Sequence, residues 1–248
     1  MSDSLVIIPT YNEKENIAAM VQAVLSLPEN FDLLIVDDGS PDGTSDIVKS
    51  LQQQFNNRLF IIERKGKLGL GTAYIAGFKY ALARNYTFIF EIDADFSHNP
   101  KDLSRLYAAC ASDSYDVAIG SRYADGLVNV VNWPIQRLLL SYFASHYVTF
   151  ITGMPIADPT GGFICYHRKV LENIILDDIR FVGYGFQVEM KFNAWKYGFK
   201  IKEVPIIFTD RTLGESKMSK SIIWEAIFGI IKLKVYSFFV SYQRSGNS

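Results

Sequence analysis

Short apolar runs alternate with longer stretches of helical spacing along the first half of the chain. Leu5 to Ile8 forms an apolar run closed by Pro9, and Glu13 to Leu27 then carries apolar residues at Ile17, Met20, Val21, Val24 and Leu25, the recurrence of a helix packed on one face. Leu33 to Val36 predicts a second strand, followed by the turn-rich DDGSPDGT and a helix around Ile47, Val48 and Leu51. Leu59 to Ile62 predicts a third strand, then a glycine-rich turn and a helix from Thr72 to Ala83. Phe88 to Ile92 predicts a fourth strand, with Pro100 in the first turn of the next helix, where its missing N–H costs nothing. Val117 to Ile119 predicts a fifth. Strands and helices alternating at this spacing imply βαβ units, hence an α/β fold with a mostly parallel, Rossmann-like sheet and helices on both faces. After Gly120 the pattern changes to helical stretches at 134–152 and 187–197 and one apolar strand, Val204 to Phe208. We read one domain over 1–220, its second half elaborating the first, and an amphipathic C-terminal helix and tail over 221–248.

Composition narrows the class. The chain has 248 residues, 49% of them apolar and 21% charged, which excludes a disordered or fibrous protein. Its two cysteines, Cys110 and Cys165, are too few for a disulfide scaffold or a cysteine zinc cage and suit a reducing cytosol. A net charge of −1 gives no field favouring nucleic acid. The charge is uneven, however. From Arg211 onward six basic residues face two acidic ones, +4, which leaves −5 for residues 1–210; this asymmetry suits either an anionic partner near the C-terminus or a solvated helix face. Met1 to Ser4 carry no basic segment of a secretory signal. Leu138 to Ala157 holds no Asp, Glu, Lys or Arg over 20 residues but does hold Ser141, Ser145, His146, Thr149, Thr152, Gly153 and Pro155, so it reads as a buried or interfacial helix rather than a span.

In open α/β sheets ligands sit beyond the carboxyl ends of the strands, and that is where the chemistry-bearing residues fall. Tyr11, Asn12 and Glu13 follow the first strand, Asp37 and Asp38 the second, Asp93 and Asp95 the fourth, Arg122 the fifth. Asp93 and Asp95, two residues apart at a strand end, offer hard oxygens for one Mg²⁺ or Mn²⁺ shared with phosphate oxygens; a plain turn with Asp95 as its cap is the competing reading. Asp38 can accept from a base or ribose, whereas Asp42 and Gly43 read as turn residues. Gly66, Gly69 and Gly71 follow the third strand rather than the first, so they are no dinucleotide fingerprint. Arg122, Arg137, Arg211 and Lys217 are the basic groups able to meet phosphates. His98, His146 and His167 lack partners at ligand spacing, no G-x-S-x-G elbow occurs, and neither cysteine has a nucleophile's context. Ile222, Ile223, Ala226, Ile227, Ile230 and Ile231, flanked by Lys220, Lys232 and Lys234, form a stripe that suits core packing or an anionic membrane surface.

PTYNE (9–13), DDGSPDGT (37–44), GLGTAY (69–74), DADFSHNP (93–100), GSRY (120–123), FQVEM (186–190) and DRTLGESK (210–217) together resemble the dolichol-phosphate (polyprenol-phosphate) mannose synthases, family 2 glycosyltransferases of GT-A fold. The resemblance runs from about Leu5 to Lys234, and DRTLGESK with PTYNE is its most specific part. It implies a metal-dependent, inverting transfer of mannose from GDP-mannose to a polyprenyl phosphate. It assigns Pro9, Tyr11, Glu13, Val36 and Asp38 to the nucleotide pocket and Asp93, Ala94 and Asp95 to the metal and diphosphate. Ser97 stands where some relatives have a metal-ligating Gln. Arg122, Arg211 and Lys217 match phosphate or nucleotide contacts, Arg137 an acceptor-phosphate contact, and Asp158 an acid before the acceptor helix, given an orienting role. Tyr142 after Ser141 replaces a basic residue common in relatives. The expected setting is the cytoplasmic face of a membrane, reached peripherally through 138–157 and 221–239. Three alternatives stay open: the same fold using UDP-glucose or another nucleotide sugar, with a lipid phosphate or polysaccharide acceptor; a sugar-1-phosphate nucleotidyltransferase, which would want a glycine-rich loop where PTYNE stands; and a non-catalytic nucleotide-sugar binding module.

Overall fold

The first half builds five strands and four helices in strict alternation: β1 (Ser4–Thr10), α1 (Ile17–Leu25), β2 (Asp32–Asp37), α2 (Thr44–Gln52), β3 (Leu59–Glu63), α3 (Leu70–Ala83), β4 (Phe88–Glu91), α4 (Asp102–Ala111) and β5 (Val117–Ser121). The second half adds β6 (Val130–Val131), α5 (Ile135–Thr152), β7 (Ile164–His167), α6 (Arg168–Asn173), α7 (Gly185–Lys196), β8 (Ile201–Pro205), β9 (Phe208–Thr209) and α8 (Lys220–Tyr236). The structure is a computed structural model and describes residues 2–55, 57–183, 185–210 and 220–244, with 220–227 as backbone.

Seven strands form one sheet in the order β3-β2-β1-β4-β7-β5-β8. All pairings are parallel except those of β7, which runs antiparallel between β4 and β5. The strands are apolar on both sides because both sides are covered. Leu5, Ile7, Leu34 and Val36 face a core completed by α3, α6, α7 and single residues of α5 and α8, including Val148, Ile230 and Leu233. Val6, Ile8, Leu33 and Ile35 face α1, α2 and α4. Cys110 and Cys165 are free and buried.

Three expectations shift. The first helix begins at Ile17 rather than Glu13, since Asn12 takes φ 58° and the Glu13 N–H donates to Thr44 Oγ1 (3.0 Å) instead of entering a helix. The strand expected at 204–208 is two strands, β8 and β9, parted after Pro205. The first part of β8 was masked by charge. It is an edge strand, and its Lys202 reaches Asp113 (2.6 Å) while Glu203 receives backbone N–H groups of Ala157 and Asp158 (2.8 and 3.0 Å). β7 lies outside the strands that the pattern predicts, because four residues running straight into α6 carry no readable period.

The GLGTAY glycines open α3 and also make room for another segment. Gly69 has φ 100°, and the Gly71 N–H donates to Val182 O (3.0 Å). A Cβ on Gly71 would lie 2.7 Å from the Phe181 carbonyl oxygen, a backbone atom that cannot swing aside. Gly71→Ala is therefore expected to destabilise the fold by about 1–3 kcal/mol, read as a lower urea midpoint at unchanged slope. An unchanged midpoint would show that the 181–182 segment yields freely.

Candidate active site

Parallel pairing brings the carboxyl ends of β1 and β2 level: Pro9 lies opposite Val36 and Thr10 opposite Asp37. Asp37 is wholly buried and organises the turn after β2. It accepts from Thr10 Oγ1 (2.8 Å), Ser40 N–H (2.8 Å), Ser40 Oγ (2.6 Å) and Ser45 Oγ (2.8 Å). Burial alone would raise its pKa, but these donors hold it below the usual carboxylate range. Ser40 Oγ and Asp42 Oδ2 in turn accept the N–H groups of Asn12 and Lys14 (2.9 and 3.1 Å). PTYNE and DDGSPDGT thus form one cross-braced rim, in which Asp42 is the turn residue expected.

Asp38 belongs to the same rim. It is nearly buried, ion-paired to Arg64 (2.9 Å), and accepts the Leu68 N–H (3.0 Å). Arg64 also donates to Thr72 Oγ1 (2.7 Å), which ties the glycine-rich loop to α3. The Lys67 ammonium sits 5.0 Å over the Tyr11 ring. Sequence reasoning missed Arg64 and Lys67. The signal was present in RKGK (64–67), a basic run directly after a strand.

Asp93 and Asp95 leave the end of β4 half-buried, around a turn in which Phe96 takes φ 58°. Asp95 Oδ1 accepts the Ser97 N–H (3.0 Å), and Ser97 O accepts from Thr209 (3.1 Å). Ser97 is buried, and Ala94 between the acids is buried as well. No cluster of three or more His, Cys, Asp or Glu that could hold a metal occurs among the described residues. Two carboxylates with room for waters and phosphate oxygens are the donor set that Mg²⁺ or Mn²⁺ accepts. Below them lies a residue unnoticed in the sequence, Glu91, fully buried in FIFEI and accepting from Gln187 Nε2 (2.5 Å). Burial pushes its pKa up against the pull of Gln187 and Lys191. His98, packed on Phe163 and Phe208, is kept neutral by burial, its pKa lowered to about 4.

At the end of β5 the Arg122 guanidinium grips Asp158 in a bidentate pair, Nε to Oδ2 at 2.7 Å and Nη2 to Oδ1 at 2.6 Å. The Arg122 backbone N–H adds a third bond to Asp158 (3.0 Å) and Nη2 reaches Thr160 Oγ1 (2.9 Å). Beside it, Trp133 carries the Arg137 guanidinium 4.4 Å over its ring, with Arg122 5.7 Å away. Arg137 bonds Asp210 (2.6 Å), the first residue of DRTLGESK. The bridge from His98 to Phe208 ties β9, which pairs with β6 and precedes Asp210, to the turn after Asp95. The structure therefore brings together Tyr11, Glu13 and Asp38, and it pairs Arg122 with Asp158. Arg211 and Lys217 lie outside the described residues.

Burial opposes ionisation of Asp158, but Arg122 outweighs it and holds the carboxyl below its usual range. A carboxyl so depressed stabilises the fold above its unfolded pKa of about 3.9, and that contribution is lost as pH falls through the folded value. Asp158→Asn is expected to cost about 3–5 kcal/mol at pH 7, as for a buried pair left with one member. The gap from wild type in urea melts should narrow as pH falls below the unfolded pKa of about 3.9; a gap independent of pH would deny the ion pair this role.

The family model described as "Glycosyl transferase family 2" matches residues 5–175. Polyprenol monophosphomannose synthase of Mycolicibacterium smegmatis is 47% identical over 227 residues, 92% of this chain and 85% of that protein. Undecaprenyl-phosphate mannosyltransferase of Micrococcus luteus is 42% identical over 228 residues, 92% of each chain. Among solved structures, glucosyl-3-phosphoglycerate synthase of Mycobacterium tuberculosis, in complex with Mn²⁺, UDP and glucosyl-3-phosphoglycerate, superposes with a TM-score of 0.68 at 14% identity, covering 96% of this chain and 80% of that one; this likeness shows the GT-A type of fold. With a family model over more than half of its length and relatives this similar over nearly all of it, the chain belongs to the family 2 glycosyltransferases, in the group of the polyprenyl-phosphate mannosyltransferases.

Proposed function

We propose that the protein transfers mannose from GDP-mannose to a polyprenyl phosphate with inversion at the anomeric carbon. The observation that carries this reading is that the parallel strands β1, β2 and β4 end at one rim, and that the turn after β4 is bridged through His98 to Phe208, beside which Arg122 and, across Trp133, Arg137 are stacked. Tyr11, Glu13 and Asp38, with Pro9 and Val36 behind them, form the wall for the nucleoside. Asp93 and Asp95, spaced by Ala94 and backed by Ser97, are the residues that would hold Mg²⁺ or Mn²⁺. The bound ion supplies Lewis acidity toward the departing diphosphate.

A lipid phosphate is already an anionic nucleophile near neutral pH, so the site needs no strong base. Its tasks are to align that phosphate with the anomeric carbon and to neutralise the leaving group. Arg137, stacked on Trp133, stands on the acceptor side; Arg211 and Lys217 are the residues we assign to the diphosphate. Arg122, held by Asp158, contributes a guanidinium of fixed orientation at the end of β5. The UDP-glucose alternative uses the same residues and differs only in the base and sugar they would receive.

The acceptor is membrane-bound, and the surface suits that. Among the described residues no helix is long and apolar enough to cross a membrane. α5 nevertheless exposes Ile135, Leu140, Phe143 and Phe150, the last 86% exposed, and the end of the chain exposes Phe238 and Phe239. α5 and α8 pack together, joined by Lys234 Nζ on Thr152 O (2.7 Å). We assign these helices to a peripheral contact with the anionic cytoplasmic surface.

Purified protein given a short polyprenyl phosphate and Mn²⁺ should move labelled sugar from GDP-mannose into the organic phase, and EDTA should stop it. Label arriving from UDP-glucose alone would replace the donor. Asp93→Ala should lower transfer by on the order of 10²–10³-fold with an unchanged melting curve; full activity in that variant would remove Asp93 from the site. Phe143→Ser with Phe150→Ser should weaken flotation with anionic liposomes while leaving the fold intact. Equal flotation of variant and wild type would remove α5 from the membrane contact.

A further inference from the structure

A lysine with no exposed surface is rare, because its ammonium must be satisfied wholly by protein. Lys191 on α7 is such a residue. Its Nζ donates to the carbonyl oxygens of Pro159 (3.1 Å), Gly161 and Gln187 (3.5 Å). The segment 157–161 is held from its other side by Glu203, which accepts the N–H groups of Ala157 and Asp158. Two charged side chains from different elements thus fix four backbone groups of one short loop. That loop carries Asp158, whose carboxylate lies so close over Gly161 that a Cβ there would meet Oδ2 at 3.2 Å. Asp158 in turn orients Arg122.

We infer that Lys191 is a positioning residue for transfer: through the Pro159 and Gly161 carbonyls it holds Asp158, and with it the Arg122 guanidinium, in place at the end of β5. The inference rests on the mannosyl-transfer reading above. Packing alone does not account for an ammonium here, since an apolar side chain of similar length would fill the position without the cost of burying a charge. The charged groups facing Nζ are Asp158, Glu91 and Glu203, with Arg122 as the opposing cation; burial pushes the lysine's pKa down.

The test is a double-mutant cycle on the full chain with Lys191→Met and Arg122→Lys, read by transfer from GDP-mannose and by amide hydrogen exchange. Lys191→Met is expected to lower kcat/KM about 10–100-fold, the size of effect that a misplacement of about 1 Å produces. Exchange should speed up in 157–162 and at the Arg122 amide, whose N–H is bonded to Asp158. In the Arg122→Lys background the same substitution should cost little more, because the group it positions is already altered. Additive losses, or unchanged exchange and transfer in Lys191→Met, would overturn the inference. Should Lys191→Met fail to fold, Lys191→Gln, which keeps a donor, serves in the same cycle. A wild type that transfers no mannose would sink the mannosyl reading instead, and the exchange data would still decide the role of Lys191.

Discussion

The register of the parallel strands is the constraint on which the site depends. β1 pairs with β2 so that Thr10 lies opposite Asp37, and with β4 so that Ile7 lies opposite Glu91. Every strand in that set points its carboxyl end the same way, so PTYNE, DDGSPDGT and DADFSH leave the sheet at one rim. A slip of one residue in any pair would turn buried side chains to the wrong core. Each side of the sheet buries its own apolar core, which is what holds the rim in place.

Charge burial is the second theme. Asp37, Asp38 and Asp158 are nearly or wholly buried, and each is compensated: Asp37 by hydroxyls and an amide, Asp38 by Arg64, Asp158 by Arg122. Bonds to charged groups are shorter and stronger than neutral ones, so these contacts stiffen loops that would otherwise be mobile. Asp93 and Asp95 stand apart from them in being half-exposed. The buried carboxylates are each compensated by the protein, whereas the two we propose for a cation are only partly buried.

Most of the architecture was legible because five strand runs and four helices repeat with clear spacing. Asp93, Asp95, Asp38 and Arg122 were legible because they follow strands. What escaped notice has physical causes. β7 is too short to show a period, and β8 is an edge strand whose Lys202 and Glu203 hide its apolar alternation. Glu91, Gln187 and Lys191 sit in apolar contexts where nothing in the sequence marks a buried polar contact between separate elements. The pairing of Arg122 with Asp158 spans 36 residues and becomes visible only once β5 and the loop before β7 lie side by side. It also changes the reading of Arg122, from a bare phosphate contact to a guanidinium whose orientation is set by a carboxylate.

On the function proposed above, the rim formed by β1, β2 and β4 is a single site for a metal-bound nucleoside diphosphate. A crystal structure with GDP and Mn²⁺ tests it most directly, since manganese is located by its anomalous scattering. The expected result is Mn²⁺ at Asp93 and Asp95, with the nucleoside against Tyr11 and Asp38. Manganese bound away from those two carboxylates, or the nucleoside seated elsewhere than the β1–β2 rim, would contradict it.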